Sequence, residues 1–430
     1  MASYRSSGIH MLLILTMIIF LSLNISHGQE AGEATSDTTI TETMQAGGAA
    51  VDEPKRRLID WNDFEGPLLT FHWGTGFLVE WAAYAQDEAS RNQFSLYPVW
   101  KIRDFRLLLS GRIKTERRIS WVCGIMYDGA TESWLFRESG FMIAVPEFWG
   151  HIFVGRTKEG ISLNKVMSGY SGWTMERATI TDATIPILAD GIKWLGYIPE
   201  AHLLWNLGYF NDVFSEGQSF STYDWQIVTR IAWLPVAPER EHPFLHVGVN
   251  GRYGNVYKGS LRNRSRPEAS PAPYFIDTDK FPAHHTRQVG VEAYYRLRSW
   301  LFGTEYYAQS VSSPSSGNPL FHGGEIAVTW NVTGETRPYN IRGGFFQSVS
   351  PAKTVFEGGP GAVELVLRIS YVDLTSGLVQ GGTFWRITPM ANWHISDNLR
   401  LAAEYGYGSL DRFDVTGQTS FFQFRIQTVI

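Results

Sequence analysis

From Phe422 the chain alternates to its last residue. Phe422, Phe424, Ile426, Thr428 and Ile430 point one way, and Gln423, Arg425 and Gln427 the other. A period of two is a strand with two unlike faces. An apolar face this complete needs a cover. In a membrane barrel lipid covers it, and the first strand closes the remaining edge. The pattern recurs upstream. Sixteen segments read as strands: 68–83, 103–114, 117–128, 132–145, 147–156, 188–197, 201–211, 224–235, 243–256, 287–298, 300–311, 320–332, 361–374, 381–395, 398–408 and 419–430. Each is near the ten or so residues that a tilted strand needs to cross a bilayer. In 361–374, Val363, Leu365, Leu367 and Ile369 oppose Glu364, Arg368 and Ser370; in 398–408, Leu399, Leu401, Ala403, Tyr405 and Tyr407 oppose Asn398, Arg400 and Glu404. The fold class expected is all-β: a transmembrane antiparallel β-barrel of about 16 strands.

Composition separates this from a large soluble β-fold. Aromatic residues make up 14% of the chain and charged residues only 18%, a balance that suits a lipid-facing wall with interfacial girdles. Beyond the leader no apolar run is long enough for a spanning helix. The one cysteine, Cys123, excludes an internal disulfide and a Cys-based zinc cluster. It shares an apolar strand face with Ile119, Trp121 and Ile125 and reads as a small buried hydrophobe. His284 and His285 lie near Asp277 and Asp279 in a long connection, but nothing fixes a ligand geometry, so no metal and no cofactor are expected. Nucleic-acid binding lacks both a basic cluster and a module. Gly358, Gly359 and Gly361 flank Pro360 without opening a helix and are turn material.

Three segments are expected. Residues 1–28 carry Arg5 and the apolar run Met11–Leu23 and read as a secretory signal, cut near Gln29, rather than as an anchor helix. Residues 29–66 hold nine acids against three bases and no strand period, which describes a flexible acidic periplasmic arm. Residues 67–430 are the barrel, and with the arm set aside they are electroneutral, so whole-chain charge says nothing about a ligand.

If both ends of the barrel chain lie on the periplasmic side, connections after odd-numbered strands face outward. Long connections at 157–187 and 257–286 obey this, and one of about ten residues is expected after the fifteenth strand. Residues 333–360 must then be a long periplasmic connection, although Ile341–Gln347 alone passes as a strand. The loop 157–187 mixes polar and aromatic residues with glycines at 160, 169 and 172. Without an inward-folded loop a barrel of this size leaves a wide aqueous lumen. As the third outer connection this segment is the candidate to narrow it. Lys158, Lys165 and Arg177 are its candidate pore-lining cations, with Glu159, Glu176 and Asp182 as possible partners for them.

Here the residues resemble a family. Gly155-Arg156-Thr157-Lys158 followed by Trp173-Thr174-Met175-Glu176-Arg177 is similar to the phosphate-selective porins O and P. Gly361-Ala362-Val363-Glu364-Leu365 with Arg368-Ile369-Ser370, the Asn392-Trp393 pair and the final aromatic strand extend the resemblance over roughly 68–430. It implies a sixteen-strand channel, often trimeric, in the outer membrane of a Gram-negative-type bacterium, passing phosphate or other anions through a basic pore. Two features depart from the pattern: the last residue is Ile430 rather than Phe or Tyr, and no single dense run of arginines stands out.

Alternation also assigns charges to the lumen. Arg106, Arg112, Lys114, Arg230, Arg252, Arg296, Arg298, Arg368, Arg386, Arg400 and Arg425 read as inward, against Glu292, Glu325, Glu364 and Glu404. An excess of eleven bases over four acids in a narrow lumen would raise local anion concentration. The competing account is that charges avoid lipid, since Arg at mid-bilayer costs about 2–4 kcal/mol. The expected constriction and anion-binding set is Lys158, Lys165 and Arg177 with Arg106, Arg112, Arg230, Arg368, Arg386, Arg400 and Arg425. Expected partners are small anions, outer-membrane lipids and two further copies of the chain. The rivals are a general or sugar-type pore, marked by Tyr170 and Trp173 along the path, a barrel lipid hydrolase, and a plugged structural or adhesion barrel.

Overall fold

The computed structural model describes residues 62–211, 222–236 and 243–430. The signal segment and all but the end of the acidic arm lie outside the described residues. Sixteen strands run antiparallel in sequence order: β1 (Thr70–Gln86), β2 (Val99–Ile113), β3 (Ile119–Asp128), β4 (Ser133–Val145), β5 (Gly150–Thr157), β6 (Ala189–Ile198), β7 (Leu203–Asn211), β8 (Tyr223–Val236), β9 (Phe244–Val256), β10 (His285–Leu297), β11 (Trp300–Ser312), β12 (Leu320–Asn331), β13 (Ala362–Ser376), β14 (Val379–His394), β15 (Leu399–Arg412) and β16 (Val415–Val429). Each pairs with its neighbour and β16 pairs back onto β1, Gly76 opposite Val429 through Gln86 opposite Thr419, so the sheet closes. Closure leaves no unpaired edge. A three-residue strand, Asp63–Glu65, folds back on Thr70–His72. Residues 63–65, at the end of the expected arm, thus pair with the first strand.

The strand faces invert the pattern of a soluble protein. On β13, Leu365, Leu367, Ile369 and Tyr371 are exposed, while Glu364, Arg368 and Ser370 are buried. The outward apolar residues have no protein neighbour to cover them, as lipid-facing positions should not. Tryptophans cluster where strands meet the chain-terminal rim, with Trp300 and Trp330 stacked at 5.1 Å and Trp194 against Trp205 at the same separation. Aromatic rings favour that interfacial depth.

Two expectations about connections change. The connection after β15 is not ten residues but a two-residue turn, Phe413-Asp414, with φ of 55° and 61°. Positive φ at both central positions matches the twist of a tight hairpin, so the strands run longer than their apolar cores. Ile341–Gln347 is not a seventeenth wall strand. It belongs to a two-strand hairpin, Tyr339–Asn340 with Phe345–Phe346, apart from the wall sheet.

Three connections pack against inward-facing side chains: 158–188 and 257–284 from one end and 332–361 from the other. They bury two apolar clusters. One joins Ile161, Ile180 and Ile185 with Phe275 and Phe281 and the wall residues Phe210, Phe321, Phe384 and Phe421. The other joins Leu163, Met167 and Trp173 with Tyr339 and Phe346 and the wall residues Phe244, Tyr294 and Met390. Between them runs a belt of charged side chains.

Candidate functional site

The belt is the register of the sheet made visible. Glu292 lies opposite Glu305, Glu305 opposite Glu325, Glu325 opposite Ser370, and Ser370 opposite Arg386. All point inward and are at most 5% exposed. Loop 158–188 spans this belt, and its backbone takes up the charge of the wall. Arg368 donates to the Glu176 carbonyl at 2.7 Å, Arg425 to that of Met175 at 2.5 Å, Arg400 to that of Gly172 at 2.6 Å, and Asn392 to that of Trp173 at 2.9 Å. From the opposite wall, Glu305 accepts from the Asn164 backbone N–H at 2.8 Å and from the Ser162 hydroxyl at 2.5 Å. Glu292 accepts from the Leu163 N–H at 3.0 Å. The first N–H groups of the short helix Leu163–Val166 have no acceptor within the helix; the two wall carboxylates take those of Leu163 and Asn164, and the Ser162 hydroxyl takes that of Lys165.

The seven wall arginines of the expected constriction set thus sit inside the barrel, but most are already engaged. Arg230 pairs with Glu292 at 2.7 Å and donates to the Gly344 carbonyl at 2.6 Å. Arg386 pairs with Glu404 at 2.6 Å and Arg368 with Glu268 at 2.5 Å. Arg425 bridges Glu80 and Glu176. Arg400 donates to Gln427 at 2.7 Å. Arg112 is half-buried toward the chain-terminal end of β2. Lys114 and Arg298 leave the inward set: both are exposed, Lys114 on Glu65 at 2.8 Å and Arg298 in the β10–β11 turn with φ of 52°.

Of the loop cations, Lys165 pairs with Asp182 at 2.9 Å. Lys158 donates to the carbonyls of Val166 and Met167 at 3.1 and 2.7 Å, and Arg177 to those of Asn164 and Met167 at 3.0 and 2.9 Å. These bonds satisfy geometry but not charge. Burial lowers the Lys158 ammonium well below the ordinary lysine range; Arg177, Arg137 and Arg106 press it further and Glu138 opposes.

Alternation misses two of the cations here because the backbone breaks it. On β2 the register slips between Leu78 and Val79 of the partner strand, and Arg103 falls in the slip. On β4 it slips between Cys123 and Ile125 of β3, and Arg137 and Glu138 share the extra position. Such bulges re-aim side chains. Arg103 reaches Glu176 of the loop at 2.8 Å. Burial raises the Glu176 carboxyl, yet Arg103 and Arg425 outweigh it and hold it at about 2. Arg137 is 4% exposed, and its Nε has no hydrogen-bond partner among the described residues. The sequence signal was available: a charged pair interrupting the period of Ser133–Val145. Inward acids were also missed, Glu80, Asp104, Asp190 and Glu305, so the lumen is closer to charge balance than the count of eleven to four implied.

Tyr170 sits over Gly76 of β1, where a Cβ would lie 2.3 Å from the ring. Its hydroxyl donates to Asp104 at 2.8 Å and Arg106 stacks on its face at 4.3 Å. Trp173 is fully buried between Tyr294 and Phe346. Several inward residues of β2, β3 and β5 keep partial exposure, among them Arg106, Ser110, Arg112, Ser120 and His151, whereas those of β10–β16 are largely closed off. Of the candidate metal residues, Asp277 is held by Arg262 at 2.5 Å and His285 stacks on Tyr253.

A family profile described as phosphate-selective porin O and P matches residues 82–413. Over 174 residues the chain is 30% identical to an uncharacterized protein of Caulobacter vibrioides; that stretch is 40% of this chain and 35% of the relative, so about a third of the relative's length is matched. Among solved structures the fold is similar to an anion-selective porin from Comamonas acidovorans, with a TM-score of 0.53 and 12% identity over 84% of this chain and 100% of that one. The outer-membrane channel DcaP of Acinetobacter baumannii gives 0.53 and 8% over 85% and 99%. A trimer form of OmpT of Vibrio cholerae gives 0.50 and 10% over 84% and 100%. At such identities the likeness is one of fold.

Proposed function

This chain belongs to the phosphate-selective porin O and P family of outer-membrane β-barrels, and from that premise we propose that it passes small anions, phosphate or polyphosphate among them, by passive diffusion. The aperture lies between loop 158–188 and the wall of β2–β5. Arg137 carries the reading: a buried guanidinium, its Nε unpartnered, beside Arg106, Lys158 and Arg177. A passing oxyanion would accept from the Arg137 Nε–H that the described residues leave unbonded, and arginine's planar fork suits phosphate oxygens. The chemistry is passage, with no catalytic step. A sugar-type pore would need Tyr170 and Trp173 along an open path, and both are buried. The chain assembles as a homotrimer in this reading, as the OmpT form does.

Single-channel recording in a KCl gradient tests it. The reversal potential should report anion preference, and Arg137→Gln should reduce that preference about 16-fold, from ~0.8 kcal/mol of opposite sign on each of the two ions for a unit charge about 5 Å away at water-like dielectric. Cation preference in the native channel would overturn the proposal.

A further inference from the structure

We propose that Glu268 is a tethered carboxylate that occupies an oxyanion position on the lumen wall and sets how strongly the channel prefers anions. Glu268 lies on the connection 257–284, within the Ser-Pro-rich stretch Ser265–Pro273. Its side chain is 2% exposed and accepts from Arg368 Nη2 at 2.5 Å. It also accepts from the backbone N–H and the hydroxyl of Thr179, at 3.2 and 3.3 Å, on the constriction loop. One residue earlier, the Pro267 carbonyl accepts from Arg386 Nη1 at 2.6 Å. One connection thus places two oxygens on two neighbouring wall guanidiniums. Phe275 seats it among Phe94, Phe384 and Phe421.

A wall position that already holds a carboxylate by a charge-assisted bond is shaped to hold an oxyanion. While Glu268 is there, the position is closed to a solute and carries a negative charge in excess. Arg368 and Arg386 then face three carboxylates, Glu268, Glu325 and Glu404, the last two at 3.6 and 2.6 Å. Without Glu268 the same four wall groups balance. The tether therefore subtracts anion preference at this level of the lumen. Glu268 has φ of 60°, a left-handed backbone that only the surrounding contacts hold in a non-glycine residue.

The inference rests on the anion-channel reading, and the experiment separates the two. Glu268→Gln keeps the shape and removes the charge; Asp279→Asn removes an exposed carboxylate of the same connection, 72% exposed at its side chain. Each purified channel is recorded in a KCl gradient, with folding confirmed by heat-modifiable migration on gels. Glu268→Gln should raise the chloride-to-potassium permeability ratio by about fourfold, the weight of a unit charge about 10 Å from the path acting with opposite sign on the two ions. Asp279→Asn should leave it unchanged. Inorganic phosphate should block chloride current at lower concentration in Glu268→Gln than in the native channel. If Glu268→Gln does not fold, Glu268→Asp, which withdraws the carboxylate by one methylene, should shift the ratio in the same direction. Equal ratios in native and Glu268→Gln channels overturn the inference. A cation-selective native channel whose ratio still rises in Glu268→Gln overturns the parent reading and leaves this one standing.

Discussion

Arg425 is the place to press on the link between loop and wall. It is 1% exposed, bonded to Glu80 on β1, to Glu176 on the loop at 2.6 Å and to the Met175 carbonyl at 2.5 Å. Replacing it by Met keeps volume and removes the charge. Glu176 would keep Arg103 at 2.8 Å, so the loss falls on Glu80, which is 2% exposed and whose second oxygen already has no partner among the described residues. Removing one partner of a buried pair costs about 3–5 kcal/mol, because it strands the other charge. Arg425→Met should therefore destabilise the barrel by about that amount in urea unfolding from lipid vesicles followed by tryptophan emission. Adding Glu80→Gln should return about 2 kcal/mol of it, since residues in direct contact couple by 0.5–3 kcal/mol. Arg425→Lys, which keeps the charge without the fork, should fall between native and Met. A cost for Arg425→Met below about 1 kcal/mol, or strict additivity with Glu80→Gln, would refute the claim that this pair is buried and coupled.

Two further outcomes follow from single contacts. Arg337 makes a two-pronged bond to Glu364 at 2.7 and 2.8 Å and donates to the Ser171 carbonyl at 2.8 Å, so it ties segment 332–361 to the loop; Arg337→Met should cost about 3–5 kcal/mol in the same unfolding assay and raise open-channel noise in bilayer recordings. Gly76→Ala places a methyl within the Tyr170 ring, and overpacking of this kind costs about 1–3 kcal/mol; conductance should rise as Tyr170 leaves Asp104, and adding Tyr170→Ala should relieve the stability cost.

The wall was legible because lipid and lumen impose opposite demands on alternate residues. Strands such as 361–374 and 243–256 fall within a residue or two of β13 and β9. What alternation could not supply is everything that depends on where backbone crosses the lumen. Arg103 and Arg137 were missed because a bulge shifts the phase by one. Segment 332–361 was placed correctly as a connection, but its entry into the barrel depends on Phe346, Tyr339 and Arg337 finding partners far away in sequence, and no local pattern records that. The same holds for Lys158 and Arg177: their residue types marked the loop, while their carbonyl partners emerged only once the loop had folded. The acids Glu80 and Glu305 lay on strands whose faces were assigned, and counting every inward position would have found them.

The seam between β1 and β16 has a consequence for assembly. Loop 158–188 touches both sides of it: Tyr170 lies over Gly76 on β1, its carbonyl accepts from Gln427 on β16 at 2.9 Å, and the Met175 carbonyl accepts from Arg425 beside Gln427 on the same strand. An open sheet offers only one half of that seat. The loop can take its final position only when the last strand has met the first. Zipping the cylinder shut and seating its inner loop are thus one event, and a barrel stalled before closure is also a barrel whose loop 158–188 has only half its seat.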